Sequence, residues 1–261
     1  MFNDQPPDPA ALAVMAALDQ AMLTKRSQQT RRPYLGASMW GDPCERKLGY
    51  IFHNTAIDEG RGFKPEVLRI FDMGHDGEDR TAEYLRLAGF DLITHKEDGS
   101  QFGFSAAEGK LKGHIDGVIV GGPEIPGLVY PVLWENKELN DKSWTDTARN
   151  GVKKSKPVYF AQTQTYMAYM ELPNGTLFTT KNRNTGAVYA EILPFDSLVA
   201  QQLSDKAVRI VQTQAPDELA RCTSDPADFR CKFCDYQKTC WATPATPSPT
   251  TNPIPSWLRK K

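Results

Sequence analysis

Asp116, Glu135 and Lys137 are the residues whose types and spacing invite chemistry. Asp116 lies in the run Gly113 to Val120, and the other two lie in Val132 to Leu139. Both runs are short and apolar, with Ile115, Val118, Ile119 and Val120 in one and Val132, Leu133 and Trp134 in the other, as buried strands are. The acids sit where a purely structural strand has little use for them. Gly121-Gly122-Pro123-Glu124-Ile125-Pro126-Gly127 between the runs is a turn signal. The two strands are therefore expected to pair and bring Asp116 to Glu135. Residues two apart on a strand face the same way, which puts Glu135 and Lys137 on one face. Two carboxylates suit a hard divalent cation such as Mg²⁺ or Mn²⁺. A lysine beside them can orient water or stabilise charge growing on a phosphate. The bland alternative is a surface salt bridge with Asp116 as a turn residue, and the surrounding sequence favours the site.

Several elements must position these residues. Ala10 to Lys25 predicts a packing helix, with Leu12, Met15, Ala16 and Met22 or Leu23 near one face. The basic run Lys25 to Arg32 after it is read as a solvated tail, ended by Pro33. Pro65 to Leu87 predicts a long helix interrupted by Gly74 and Gly77, which is costly unless something must approach closely. Phe90 to Thr94 and Lys110 to Val120 predict strands. A loop is expected from Lys137 to Pro157, with Trp144, Arg149, Lys153, Lys154 and Lys156. Basic residues with an aromatic among them suit a groove for a nucleic-acid strand, and Lys153, Lys154 and Trp144 are its candidates. Pro157 can open a helix. On that helix Gln162 and Tyr166, four apart, share a face and could direct an amide and a phenol at a phosphate or at Lys137. Leu177 to Thr180 and Ala187 to Leu193 flank a hairpin turn, and Phe195 to Gln214 predicts another amphipathic helix. The sum is a mixed α/β fold: a small central sheet with helices on its faces.

A second group is the thiols. Cys231, Cys234 and Cys240 fall within ten residues, while Cys44 lies far upstream and Cys222 is left over. Four of them could hold an iron–sulfur cluster or structural zinc, with Cys222 able to replace Cys44.

Together these residues resemble a known family. Asp116 followed by Glu135-Asn136-Lys137 is similar to the PD-(D/E)XK nuclease core, a restriction-endonuclease-like fold. Gln162-x-x-x-Tyr166 resembles a motif of its RecB-like branch. Gly74-His75-Asp76-Gly77-Glu78 resembles that branch's first motif, with Glu78 as the metal-associated residue and His75 as second choice. Cys44 with Cys231, Cys234 and Cys240 resembles the layout of the iron–sulfur subgroup that includes AddB and the CRISPR-associated exonucleases. The resemblance spans Ser38 to Trp241. It implies a metal-dependent DNA exonuclease that processes single strands or DNA ends in recombination, repair or spacer acquisition. Asp116, Glu135 and the carbonyl of Asn136 would ligate the metal, supported by Glu78, and Lys137, Gln162 and Tyr166 would assist catalysis. A four-iron four-sulfur staple, or zinc in its place, would join the two ends of the fold. Expected partners are DNA and a recombinase or single-strand-binding protein, with oligomers open. A phage or mobile-element setting suits a compact chain without helicase motifs. The rivals are a stapled endonuclease and an inactive DNA-binding protein on the same fold.

Composition sets bounds. The chain has 261 residues and a net charge of −1, so no global basic excess marks a nucleic-acid binder, although a local groove is compatible with it. No apolar run approaches a membrane span, and the start from Met1 to Pro9 is polar and proline-rich, without a signal peptide. A cytoplasmic protein is expected, in which five cysteines point to metal rather than disulfides. The expected organisation is an N-terminal helix and basic linker over 1–33, a nuclease domain over 34–241 and a flexible Pro-rich tail over 242–261.

Overall fold

The structure is a computed structural model, and it describes residues 8–242. The Pro-rich tail from 243 onward, including Trp257 and Leu258, and the first seven residues lie outside the described residues.

The chain opens with α1 (Pro9–Ser27), capped by the Asp8 carboxylate, and β1 (Leu35–Gly36). Two helices follow, α2 (Glu45–Phe52) and α3 (Pro65–Leu87). Proline at the first position of α3 suits it, because its missing N–H has no helical partner there. Next come β2 (Leu92–Ile93), β3 (Gly103–Ala106), β4 (Leu111–His114), β5 (Gly117–Ile119) and β6 (Val132–Leu139). Then α4 (Asp141–Asn150), α5 (Val152–Ser155) and α6 (Pro157–Tyr169) lead to the hairpin β7 (Thr176–Asn182) and β8 (Val188–Leu193). The described chain ends through α7 (Ser197–Gln212), α8 (Phe229–Lys232) and α9 (Gln237–Ala242).

The expected small mixed sheet with helices on its faces is present. Its order is β2-β5-β6-β7-β8, and a smaller sheet runs β1-β4-β3. β6 pairs antiparallel with β5 and parallel with β7. A parallel neighbour needs a crossover of a dozen or more residues, and α4, α5 and α6 supply it. β6 is covered on both sides. Val132 and Trp134 pack with Ala82 of α3, while Leu133 joins Tyr166 and Met167 of α6 and Ile210 of α7. Each such fully buried side chain contributes about 1.5–3 kcal/mol, so β6 is firmly held where Glu135 and Lys137 must be aimed.

Three expectations change. The stretch from Lys137 to Pro157 is not a loop: β6 runs on to Leu139, and Asn140 then caps α4 by accepting from the Ser143 N–H at 2.9 Å. The run Lys110 to Val120 is two strands, because β4 pairs with β1 and β3 whereas β5 pairs with β2 and β6. The chain bends at Asp116 as it leaves one sheet for the other. Finally, α1 buries none of its residues, and Leu12 and Met15 are exposed. Its links to α3 include the ion pairs Asp19–Arg69 and Lys25–Asp72, and the expected buried apolar stripe is not formed.

Candidate active site

The bend places Asp116 beside the end of the β5–β6 ladder, whose last pair is Gly117 with Trp134. The Asn136 N–H beyond it is taken by Asp116 Oδ2 at 2.8 Å. Asp116 and Glu135 thus meet across the two strands, as their spacing predicts.

Glu135 is fully buried. Its Oε1 accepts from Gln162 Nε2 at 2.6 Å and from Lys137 Nζ. Its Oε2 is buried without a hydrogen-bond partner. Lys137 Nζ also donates to the Asn136 carbonyl at 2.8 Å and lies 3.8 Å from Asp116 Oδ2. The ammonium therefore gathers the oxygens of Glu135, Asn136 and Asp116. Burial, and then the negative charge of Asp116, push the Glu135 carboxyl well above its usual range. Burial pulls the Lys137 ammonium the other way, but Glu135 and Asp116 outweigh it and hold its proton more tightly than usual. Glu78, from α3, is pushed up to about 7 by burial and then by Asp116. Three carboxylates thus face one ammonium.

Gly77 lets α3 come this close. A Cβ there would strike the Glu138 side chain, whose carboxylate pairs with Lys181 at 3.1 Å on the α3-facing side of β6. Gly74 has open space around it, so only one of the two interrupting glycines answers a close approach. His75 is exposed on α3.

Gln162 and Tyr166 share a face of α6, as expected. Tyr166 is buried; burial and then Glu135 raise its phenol pKa, keeping it protonated. It packs where Gly113 leaves room, since a Cβ at 113 would stand 2.6 Å from the ring. Sequence reasoning missed Tyr159, whose ring centroid lies 5.7 Å from Lys137 Nζ. The signal was available: positions 159, 162 and 166 fall on one helix face.

The candidates for a strand-holding groove divide. Lys153 and Lys154 are exposed on α5. Trp144 is half-buried on α4, with its indole N–H donating to the Thr180 carbonyl at 3.2 Å, so it braces α4 against β7. Lys156 lies 3.6 Å from Asp146.

All five cysteines carry free thiols and line one cavity of about 230 Å³ with Tyr50, Phe229, Phe233 and Trp241. Cys222 lines this cavity beside Cys44, so the leftover thiol is in the group. Burial, then the neighbouring Cys44, push the Cys222 thiol up to about 12. Burial also raises Cys231 and Cys234. The two distant segments are tied by polar contacts as well. Buried Arg46 donates to the carbonyl of Leu219 at 2.8 Å, and Asp58 accepts from the N–H groups of Lys238 and Thr239 at 2.6 and 3.1 Å.

Among the described residues, no group of three or more His, Cys, Asp or Glu side chains is arranged as around a bound ion. At the carboxylates, the ammonium of Lys137 occupies the middle of the group. The residues nevertheless fit a divalent cation, because Glu135 Oε2 is a buried oxygen with no partner and the acids outnumber the lysine. At the cavity, four or five thiols in an apolar lining have the donor chemistry of a soft metal site.

No helix among the described residues is long and apolar enough to cross a membrane. No family model and no curated protein matches the chain. Solved structures do resemble it. An alkaline exonuclease from Laribacter hongkongensis (LHK-Exo) superposes with a TM-score of 0.49 at 14% identity, over 76% of this chain and 91% of that one. The same exonuclease in complex with dAMP gives 0.49 at 15% identity, over 70% and 88%. The structure described as SSO0001 gives 0.48 at 15% identity, over 90% of this chain and 98% of that one.

Proposed function

We propose that this chain is a Mg²⁺- or Mn²⁺-dependent nuclease that hydrolyses DNA phosphodiester bonds from strand ends, of the kind that processes ends in recombination or repair. The observation that carries the reading is the meeting of Glu78, Asp116, Glu135 and Lys137 at the bend between two sheets, with one carboxylate oxygen buried and unpartnered.

Glu78, Asp116, Glu135 and the Asn136 carbonyl would hold the divalent cation. When bound, such a cation polarises a phosphate and favours hydroxide over water. The chain's own groups do the rest. Lys137 orients the attacking water and balances the charge that grows on the phosphate oxygens. Gln162 fixes Glu135 through its hydrogen bond to Oε1. Tyr166 stays a neutral donor, and Tyr159 limits where the Lys137 ammonium can travel. Cys44, Cys231, Cys234 and Cys240 would hold a four-iron four-sulfur cluster, or zinc, as a staple between the N-terminal and C-terminal segments.

The test is digestion of end-labelled linear single- and double-stranded DNA with Mg²⁺ or Mn²⁺, beside a covalently closed circle. Wild type is expected to shorten labelled strands and spare the circle, and Asp116→Ala and Lys137→Ala are expected to lose at least about 10²-fold in rate. Equal inactivity of wild type and both variants, with the thiol-bound metal intact, overturns the reading.

A further inference from the structure

The smaller sheet has an open face that leads to the acid cluster. Along β4 and into the bend, Leu111, Gly113 and Ile115 are buried, while Lys112 and Asp116 are half-buried and His114 is exposed. Alternation on a strand puts Lys112 and His114 on the same side, and the burial pattern carries that side on to Asp116. The partners on β3 agree: Ser105 pairs with Lys112 and is exposed, and Gly103 pairs with His114 and adds no side chain above the sheet. At the far end stands Tyr34, half-buried. The Lys112 ammonium is 5.3 Å from its ring centroid, and the Arg32 guanidinium is 6.0 Å away.

Leu35 and Gly36 of the segment 31–36 pair in parallel with Leu111 and Lys112 of the segment 110–114, and the Leu35 N–H donates to the Lys110 carbonyl at 2.8 Å. Neither segment contains an acid, and together they hold Arg31, Arg32, Lys110, Lys112 and His114. Arg31 is engaged by the Asn54 carbonyl at 2.7 Å, which leaves Arg32, Lys110 and Lys112 to face outward ligands. In a chain of net charge −1 this is a local concentration of cations beside one aromatic ring. Cations that track a phosphate backbone and a ring on which a base can stack are the recognition chemistry of an unpaired polynucleotide.

We infer that Tyr34, Arg32, Lys112 and His114 form the track along which an unpaired polynucleotide strand lies as it reaches the acid cluster, an inference that rests on the nuclease reading. Lys112 takes a phosphate, Tyr34 takes a base in place of the loosely held Arg32, and His114 lines the approach to Asp116. A paired duplex keeps its bases inside and cannot use Tyr34.

The test uses the full chain in EDTA, with fluorescence anisotropy of a short labelled oligothymidylate and of a blunt duplex over a salt series. Lys112→Ala is expected to flatten the slope of log K against log salt by about 0.7. Tyr34→Ala is expected to weaken single-strand binding about tenfold, while Tyr34→Phe keeps it and duplex binding does not move. Lys64→Ala, an exposed lysine at the start of α3, measures the effect of charge alone. The inference is overturned if Lys112→Ala and Tyr34→Ala bind like Lys64→Ala, or if the duplex loses as much as the single strand. Hydrolysis of bis(p-nitrophenyl) phosphate with Mn²⁺, too small to need the track, reports on the nuclease reading separately. Wild-type hydrolysis with unchanged variant binding sinks the track alone. Absence of hydrolysis in wild type, with single-strand binding still dependent on Tyr34 and Lys112, sinks the nuclease reading alone.

Discussion

Glu135 and Lys137 show how one lysine can be held by several oxygens at once. Removing the ammonium leaves buried carboxylates uncompensated, which costs about 3–5 kcal/mol when one partner of a buried pair is deleted. Lys137→Met is therefore expected to melt at lower temperature than wild type in EDTA, with part of the loss restored by Mn²⁺; calorimetry with and without metal checks this. Glu78 sets a pH dependence. Its pKa is raised from 4.5 to about 7 on folding, so the folded state holds this proton more tightly than the unfolded chain. That contribution is fully present below the unfolded pKa and is lost as pH rises through about 7. Metal-free protein is expected to lose stability across that window. Glu78→Gln should flatten the pH profile and gain about 1–3 kcal/mol at alkaline pH relative to wild type. A thermal melt series over pH in EDTA decides it, and an unchanged slope counts against the charge cluster.

At the scale of elements, the two glycines of α3 look alike in sequence and behave oppositely in the structure. Gly74→Ala should stabilise the helix by up to about 1 kcal/mol, since nothing opposes a methyl group there. Gly77→Ala should destabilise by about 1–3 kcal/mol, because the methyl meets the Glu138 side chain and must displace it from its pairing with Lys181. Denaturant unfolding of the two variants reads the contrast directly. Gly113→Ala acts on the site from another element: its methyl would press on the Tyr166 and Phe104 rings and on Ala37. The helix periodicity that joins Gln162 to Tyr166 is local, and it was legible. The partner each side chain meets was not, because α6 approaches β6 from a separate part of the chain.

For the whole molecule, the thiol cavity joins the segment around Cys44 to the segment from Cys222 to Cys240. Raised thiol pKa values mean that Cys222, Cys231 and Cys234 hold their protons in metal-free protein near neutral pH. Loading with Zn²⁺ is then expected to release protons, measurable in weakly buffered solution, and to raise the melting temperature. Cys44→Ser should lose the bound metal and its stabilisation, whereas Cys222→Ser should keep both. The reverse pattern would assign the ligand to Cys222. Arg46 and Asp58 hold the same two segments together without metal, so the loss should loosen the C-terminal end before it unfolds the sheet.

Short-range geometry made much of this protein legible from its sequence. Two-residue spacing put Glu135 and Lys137 on one face of a strand, four-residue spacing put Gln162 and Tyr166 on one face of a helix, and proline marked where α3 and α6 begin. These follow from backbone repeats that need no tertiary context. Tertiary structure alone decided that the chain bends at Asp116, that Lys137 claims the oxygens of its neighbours, and that Trp144 turns inward. It also decided that Cys222 joins Cys44. Each of those outcomes is a competition among groups far apart in sequence for the same space, proton or hydrogen bond, and only the packed molecule sets which of them are close enough to compete.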